Sequence, residues 1–187
     1  MANQTSALRS ALTLLRLGAR GTMSRLKRST EVTADQQATF EAVLTSMAGG
    51  PAVSSTIESM RFVSVHCDNA GWLPTDIVVA AGSQVSVLAV GTLWASKAFN
   101  LRFGPRLGLW LRAGHVGPLI KTPSDAATVK MRSGGLLHIV AKPPGEWADE
   151  NGTFDEAFPR DGITGNLLVC IIVWKADPIA GLRTMLA

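Results

Sequence analysis

The sequence has few of the residues that build disulfide frameworks, metal clusters or membrane spans. Its 187 residues include two cysteines and three histidines, which excludes a disulfide-stapled fold and a paired-cysteine zinc site. The longest apolar run, residues 167–174, is far shorter than the roughly 20 residues that a membrane-spanning helix needs. A phosphate-binding glycine loop and a nucleophile elbow are also missing. These absences predict a protein that is not an enzyme.

Acidic residues are missing from the first part of the chain. Of 18 basic side chains, six lie in residues 1–30, which leaves 12 against all 14 acidic ones in the remainder. The basic charge therefore belongs to the amino-terminal segment, and no specific nucleic-acid binding is predicted. Residues 6–17 have helical spacing of leucines and arginines, and a loose tail, a membrane-surface anchor and an organelle transit peptide all stay open. The lack of a convincing secretory signal, and two cysteines (Cys67 and Cys170) that make no disulfide framework, slightly favour a cytoplasmic location.

A helix is predicted after this basic segment. Thr33 is a suitable N-cap, and Gln36 three residues later completes a capping-box pattern. One face carries an apolar stripe of Phe40, Val43, Leu44 and Met47, and residues 49–51 (Gly-Gly-Pro) end the helix. The stripe is too narrow to form a core alone, so the helix is expected to pack on the rest of the chain or on a partner.

From residue 59 onward the apolar period changes from about 3.6 to 2, which is typical of strands. Glycine and proline separate the short alternating segments, and no helices are interleaved. The predicted strands are residues 60–67, 77–80, 85–90, 107–111, 119–121, 128–131, 136–141, 152–158 and 167–174. Residues 95–106 are predicted as a long loop and residues 112–117 as an exposed turn. This pattern predicts a mainly β protein, an antiparallel β-sandwich or jelly roll. The domain boundaries are a helical extension 1–52, a sandwich 53–176 and a tail 177–187.

Several motifs follow one another in a recognisable order between Trp72 and Trp174. They are Ala-Gly-Ser-Gln-Val at residues 81–85, Leu-Trp-Leu-Arg-Ala-Gly at 109–114, Gly-Gly-Leu-Leu-His-Ile at 134–139 and Glu-Asn-Gly-Thr-Phe at 150–154. This order resembles the PA-IL-type galactophilic lectins of bacteria. The resemblance implies a galactose-binding-like β-sandwich that binds carbohydrate with calcium.

In such lectins an Asn-Asp pair and an Asn-rich turn supply calcium ligands. The Asn-Asp position here reads Lys-Pro-Pro at residues 142–144, and the Lys142 ammonium has no acceptor and repels a cation. Asp149 and Asn151 in the matching turn are the remaining candidate metal ligands. The sequence therefore predicts no cofactor, with calcium at Asp149 and Asn151 as the alternative.

Sugar binding without a metal needs an aromatic surface and a few polar side chains. Trp147 is a candidate because it lies in a polar loop, whereas Trp94 and Trp110 lie at strand ends and are predicted to pack in the core. The candidate polar partners are Arg112, His115, Asp149 and Asn151. Residues 66–68 (His-Cys-Asp) look reactive, but neighbouring strand residues point to opposite faces and do not pair easily.

The predicted function is a non-catalytic, lectin-like module that recognises a carbohydrate or similar polar ligand through loops 113–117 and 143–151. The alternative is an accessory protein-interaction domain that keeps the fold and binds neither sugar nor calcium. In that case residues 1–52 would dock a protein partner or a fused domain. Homo-oligomer formation stays open in both cases.

Overall fold

Two antiparallel sheets lie face to face in the computed structural model, which describes residues 32–68, 71–143, 145, 147–155, 163–175 and 178. The helices within these ranges are α1 (Ala34–Ala48), α2 (Pro51–Ser54) and α3 (Pro105–Gly108). The strands are β1 (Ile57–His66), β2 (Leu73–Val79), β3 (Gln84–Ser96), β4 (Leu101–Phe103), β5 (Leu109–Ala113), β6 (Ile120–Lys121), β7 (Ala126–Lys130), β8 (Gly135–Ala141) and β9 (Thr164–Trp174). The predicted antiparallel β-sandwich is confirmed.

The first sheet is organised around the long pairing of β3 with β9. This pairing runs from Gln84 opposite Trp174 to Trp94 opposite Thr164. β1 lies on the far side of β9, while β7 and β4 pair with successive parts of β3 at the other edge. The second sheet has the order β2–β8–β5–β6. All the pairings are antiparallel.

The main core lies between the two sheets, and a smaller core lies outside the first sheet. Val169 and Ile171 of β9 belong to the main core, whereas Leu168 and Cys170 belong to the outer one. Both faces of β9 are therefore covered, which explains its almost unbroken apolar sequence. Burial raises the pKa of the Cys170 thiol to about 12, so this thiol is a buried apolar group.

Helix α1 covers the outer core, as its narrow stripe requires. Phe40 is 1% exposed and meets Phe62 of β1 edge to face, with ring centroids 6.1 Å apart. The predicted capping box is confirmed, because Thr33 Oγ1 accepts from Gln36 N at 3.3 Å and Thr33 N donates to Gln36 Oε1 at 3.0 Å. No helix among the described residues is long and apolar enough to cross a membrane.

Three local predictions are corrected. The predicted strand 107–111 begins with two helical residues instead, because Pro105 starts the short helix α3 and β5 begins only at Leu109. The predicted loop 95–106 is a hairpin in which β3 extends to Ser96 and returns as β4; Asn100, at φ +53°, helps to reverse the chain. The predicted exposed turn 112–117 is shorter than expected, since its first two residues complete β5 and Gly117 is buried.

Some predictions fall outside the described residues. The amphipathic segment 6–17 lies there, as does most of the tail 177–187. Of the predicted strand 152–158, residues 152–155 are described, and in them Phe154 forms an isolated bridge to Trp147. The division into segments 1–52, 53–176 and 177–187 stays a prediction.

Candidate functional site

A small hairpin, residues 147–154, packs beside the second sheet at the place where the sequence predicts ligand contacts. The bridge between Trp147 and Phe154 closes it, and Ala148 N donates to Thr153 O at 2.8 Å. Gly152 turns the chain with φ +78°, and its carbonyl accepts a hydrogen bond from Trp72 Nε1 at 3.1 Å. The hairpin is thereby fixed to the start of β2.

Four aromatic rings join the hairpin to the sheet, and we call them the aromatic cluster: Trp72, Trp110, Trp147 and Phe154. The Trp147 ring stacks on Trp72 at 5.5 Å and on Phe154 at 5.2 Å between centroids, and Trp110 meets it edge-on at 5.4 Å. These are favourable geometries for aromatic pairs. Much of the Trp147 ring is therefore engaged inside the protein. Its Nε1 is buried and has no hydrogen-bond acceptor in the described part of the chain.

Arg112 connects this cluster to the end of β5. Its guanidinium carbon lies 4.3 Å from the Trp72 ring centroid, and Nη1 donates to Asn151 O at 3.1 Å. Its Nε is buried and lacks an acceptor among the described residues. Burial lowers the pKa of Arg112, and the nearby Asp149 carboxylate opposes this shift. Since a guanidinium stays charged in proteins, Arg112 is a fixed cation whose buried Nε–H has no acceptor among the described residues.

Asp149 holds the turn of the hairpin. Its Oδ1 accepts from Asn151 N at 2.9 Å and Thr153 N at 3.0 Å, and its Oδ2 accepts from Thr153 Oγ1 at 2.6 Å. The carboxylate thus stabilises the loop that carries Asn151, while both residues remain exposed at the surface. No group of three or more His, Cys, Asp or Glu in the described ranges could hold a metal. Calcium at Asp149 and Asn151 stays a prediction.

Lys142 lies at the position where the lectin resemblance implies an Asn-Asp pair. It is 3% exposed, and its Nζ donates to Cys67 O at 3.2 Å and lies 5.4 Å from the Phe154 ring centroid. Its own carbonyl accepts from Trp110 Nε1 at 3.0 Å. Lys142 therefore contacts two rings of the aromatic cluster, Phe154 and Trp110. Its positive charge opposes the binding of a second cation beside these rings.

His115 follows Arg112 by three residues. It is exposed in the turn after β5, and its ring centroid is 5.1 Å from that of His138. His138 is buried in β8, and its Nδ1 lies 2.9 Å from Leu136 O. The pKa of His138 is lowered, and burial is the largest cause. The hydrogen bond to Leu136 opposes this shift, whereas the nearby His115 and Arg112 lower the pKa further. His138 is thus neutral at pH 7, and His115 is the histidine that a ligand can reach.

The structure brings all five predicted binding residues into one region. Arg112 contacts Asn151 directly and Trp147 through Trp72, Asp149 holds the turn, and His115 lies beside the neighbour of Arg112. The contributions of Trp72 and Phe154 were missed, because both depend on contacts between distant parts of the sequence. Trp94 is buried as predicted, whereas Trp110 is half-buried in the aromatic cluster.

Comparisons with known proteins found distant likenesses among solved structures. No family model and no curated protein matches the chain. Among solved structures it is similar to the EclA N-terminal domain, a PllA-like lectin, with a TM-score of 0.45 and 13% identity over 60% of this chain and 94% of that one. It is also similar to a metallopeptidase from Bacteroides thetaiotaomicron, with a TM-score of 0.33 and 12% identity over 77% of this chain and 25% of that one. Because both TM-scores are below 0.5, the fold assignment relies on the observed strand pairing alone.

A separate cleft of about 270 Å³ lies where β1 ends and β9 begins. Its lining includes the exposed His66 and the buried Cys67, whose Sγ donates to Ile163 O at 3.4 Å. His66 and Cys67 thus differ in exposure, as expected for neighbouring residues at the end of a strand. Three of the lining residues, Val32, Asp68 and Ile163, are next in sequence to residues outside the described ranges.

The hairpin 147–154 should respond to acid in a defined way. Hydrogen bonds from the Thr153 hydroxyl, the Thr153 amide and the Asn151 amide lower the pKa of Asp149 below its ordinary value of 3.8. A lowered carboxyl pKa stabilises the fold above the unfolded-state value, and this contribution is lost as the pH falls through the folded-state value. We expect the amide resonances of Asn151 and Thr153 to be constant from neutral pH to pH 5 and to titrate together below 3.8. In the Asp149→Asn variant the joint titration should vanish; a midpoint above 3.8 in the native protein would contradict the assigned hydrogen bonds.

Proposed function

We propose that this protein is a non-catalytic binding module whose ligand is a carbohydrate or a similar hydroxyl-rich, polar molecule. The binding surface consists of the end of β5, the turn 114–117 and the hairpin 147–154. The observation that carries the proposal is the pair of unused donors, Arg112 Nε and Trp147 Nε1, within one rigid cluster. Both donors are enclosed by protein atoms, so a ligand oxygen reaches them only when the rim of the cluster moves; the new hydrogen bond then recovers the free energy that a buried N–H without an acceptor costs.

The surroundings of these two donors suit a polyhydroxylated ligand. Arg112 is held by Trp72 and Asn151 O, so little side-chain entropy is lost when it donates to a ligand. Asn151 contacts it, Glu150 precedes Asn151, and His115 follows Arg112 by three residues; all three are exposed and can offer further donors and acceptors at the rim. A few fixed polar groups beside aromatic rings are typical of small-ligand sites.

We propose that binding needs no metal. The resemblance to calcium-dependent lectins favours Asp149 and Asn151 as ligands, yet the Asp149 carboxylate already accepts three hydrogen bonds from its own turn. The Lys142 ammonium occupies the other expected position. Calcium binding typically needs six to eight oxygen ligands and enough negative charge to offset dehydration.

A glycan array, run with calcium and with chelator, tests the proposal. We expect specific signals that survive chelation, and a loss of about tenfold or more in affinity for Arg112→Lys, since lysine keeps the charge but loses the donor fork. Arg102→Lys is the matched control, because Arg102 also lies over a tryptophan, 5.6 Å from the Trp94 ring centroid, on the other sheet. Its affinity should equal that of the native protein.

Two results would contradict the proposal. Signals that chelator abolishes would restore the calcium site, and a blank array from a correctly folded protein would favour the accessory interaction domain. In that alternative the apolar stripe of α1 is not open to a protein partner, because Phe40 and Leu44 are buried against the first sheet. A partner would therefore have to bind another surface.

A further inference from the structure

The charge of the sandwich is distributed very unevenly along the chain. Between Asp76 and Asp125 there is no acidic residue, whereas five basic residues occur there. Three of them, Lys97, Arg102 and Arg106, lie within ten residues, and all three are exposed. The rest of residues 31–187 has seven basic and 14 acidic side chains, so this stretch concentrates positive charge on an otherwise acidic part of the chain, although the Asp125 carboxylate lies beside it and accepts from Arg106 N at 3.0 Å.

The same stretch exposes large apolar side chains. The β3–β4 hairpin reverses at residues 97–100, and α3 follows β4; we call residues 97–107 the basic hairpin. Phe99 at its tip is 79% exposed, Leu101 is 55% exposed and Leu107 is 44% exposed. Single exposed apolar residues are ordinary, but three within nine residues of the chain indicate a binding surface.

The basic hairpin is firmly connected to the sandwich. Leu93 pairs with Phe103 and Trp94 with Arg102, and Arg102 lies over the Trp94 ring. Gly108 packs so closely that an added Cβ would lie 2.7 Å from the Leu93 side chain and 2.8 Å from the Phe103 ring. Phe99 is thus held outward by a well-packed base and does not fold back onto the core.

We propose that the basic hairpin binds the surface of an anionic lipid membrane. Phe99 and Leu101 insert into the interface between head groups and acyl chains, and Arg102 and Arg106 contact lipid phosphates or carboxylates. An aromatic ring beside cations is the combination that peripheral membrane contacts use, because each basic residue gains from the negative surface potential. This surface belongs to the first sheet and is distinct from the proposed ligand site on the second.

A membrane fits this hairpin better than a protein partner does. The exposed apolar side chains are three, with Phe99 at the tip of the hairpin, whereas protein interfaces have a packed, desolvated centre. β4 has only three residues, which is short for strand addition by a second copy. A lipid surface needs no matching groove and complements the acid-free stretch by its charge alone.

Co-sedimentation of the full chain with vesicles tests this proposal. We expect binding to phosphatidylcholine vesicles that contain phosphatidylserine, weak binding to phosphatidylcholine alone, and a marked loss of binding at high salt. Phe99→Ser should lower the partition coefficient about tenfold by removing the inserted ring. Arg106→Glu changes the local charge by two and should lower it about 25-fold at low salt.

Val78→Ser is the matched control, because Val78 is 70% exposed but lies in β2 of the other sheet; its binding should be native. Circular dichroism verifies the fold of each variant, and Arg106→Glu remains informative if Phe99→Ser fails to fold. Binding that persists in both variants would overturn the proposal and assign the attraction to the six basic residues in residues 1–30. No binding to anionic vesicles would overturn it too. The proposal would also be overturned if the variants altered only the self-association of the protein, or only its binding to an acidic protein, and left vesicle binding unchanged.

Discussion

Gly165→Ala will lower the free energy of unfolding by about 4 kcal/mol, because the glycine lies in β9 with φ +115° and a new Cβ would collide with the Thr92 carbonyl oxygen. The obstructing atom is backbone in the adjacent β3, so the collision cannot be relieved by a side-chain rotation. β9 is central in its sheet and buried on both faces, so a shift would disturb both cores. Chemical denaturation measures the effect.

Alanine substitutions at two other glycines distinguish backbone strain from steric collision as the cause of this loss. At Gly82, φ is +92° but the nearest atom to an added Cβ is the end of Lys130 at 4.0 Å, so Gly82→Ala should cost only the backbone strain, about 1 kcal/mol. At Gly50, φ is −60° and nothing lies within 4 Å, so Gly50→Ala should be nearly neutral. Equal losses of unfolding free energy for Gly165→Ala and Gly82→Ala would contradict the close approach of β3 to β9 at Gly165.

Trp147→Ala will cost about 3 kcal/mol of stability, since the ring is half-buried and packs against three other rings of the aromatic cluster. The hairpin 147–154 loses its ring contacts with Trp72 and Trp110, and the Trp72 ring, over which Arg112 lies, loses its stacking partner. Phe99→Ala is the control, because it also removes an aromatic side chain, but one that is 79% exposed. Its loss should stay within about 0.5 kcal/mol.

Trp147→Phe distinguishes support from direct recognition. Phenylalanine keeps an aromatic ring for stacking, but it removes one ring of the indole together with the Nε1–H that lacks an acceptor among the described residues. We expect most of the stability to be retained, while affinity for the ligand falls about tenfold through the loss of one buried hydrogen bond. If affinity is unchanged, Trp147 supports the site without contacting the ligand; if stability falls as far as in Trp147→Ala, the assigned stacking is wrong.

The sandwich was predictable because its signals are local. Period-2 alternation with glycine and proline breaks marks β1, β3 and β8, and the capping box marks α1. Short elements were missed for the same reason. β4 and α3 comprise three and four residues, too few for a periodic pattern, and they form because the hairpin and Gly108 pack against β3.

The site was predictable only as a set of residue types. Arg112, His115, Trp147, Asp149 and Asn151 were selected from loop composition and from the lectin resemblance. That they lie in one region depends on contacts such as Trp72 Nε1 to Gly152 O, which joins residues 80 positions apart. Sequence periodicity carries no information about such contacts. The burial of Lys142 was likewise missed, although its position beside two prolines at the end of an apolar strand is a usable signal.

The location of the ligand site can be measured by backbone amide shifts in two-dimensional NMR spectra, recorded during titration with a glycan that the array identifies. The largest changes are predicted at residues 114–117 and 149–153, together with the side-chain resonances of Arg112 Nε and Trp147 Nε1. Chelator should leave these changes intact. Changes concentrated instead at the cleft of residues 66–68 and 163–166, or at the basic hairpin, would contradict the proposed site.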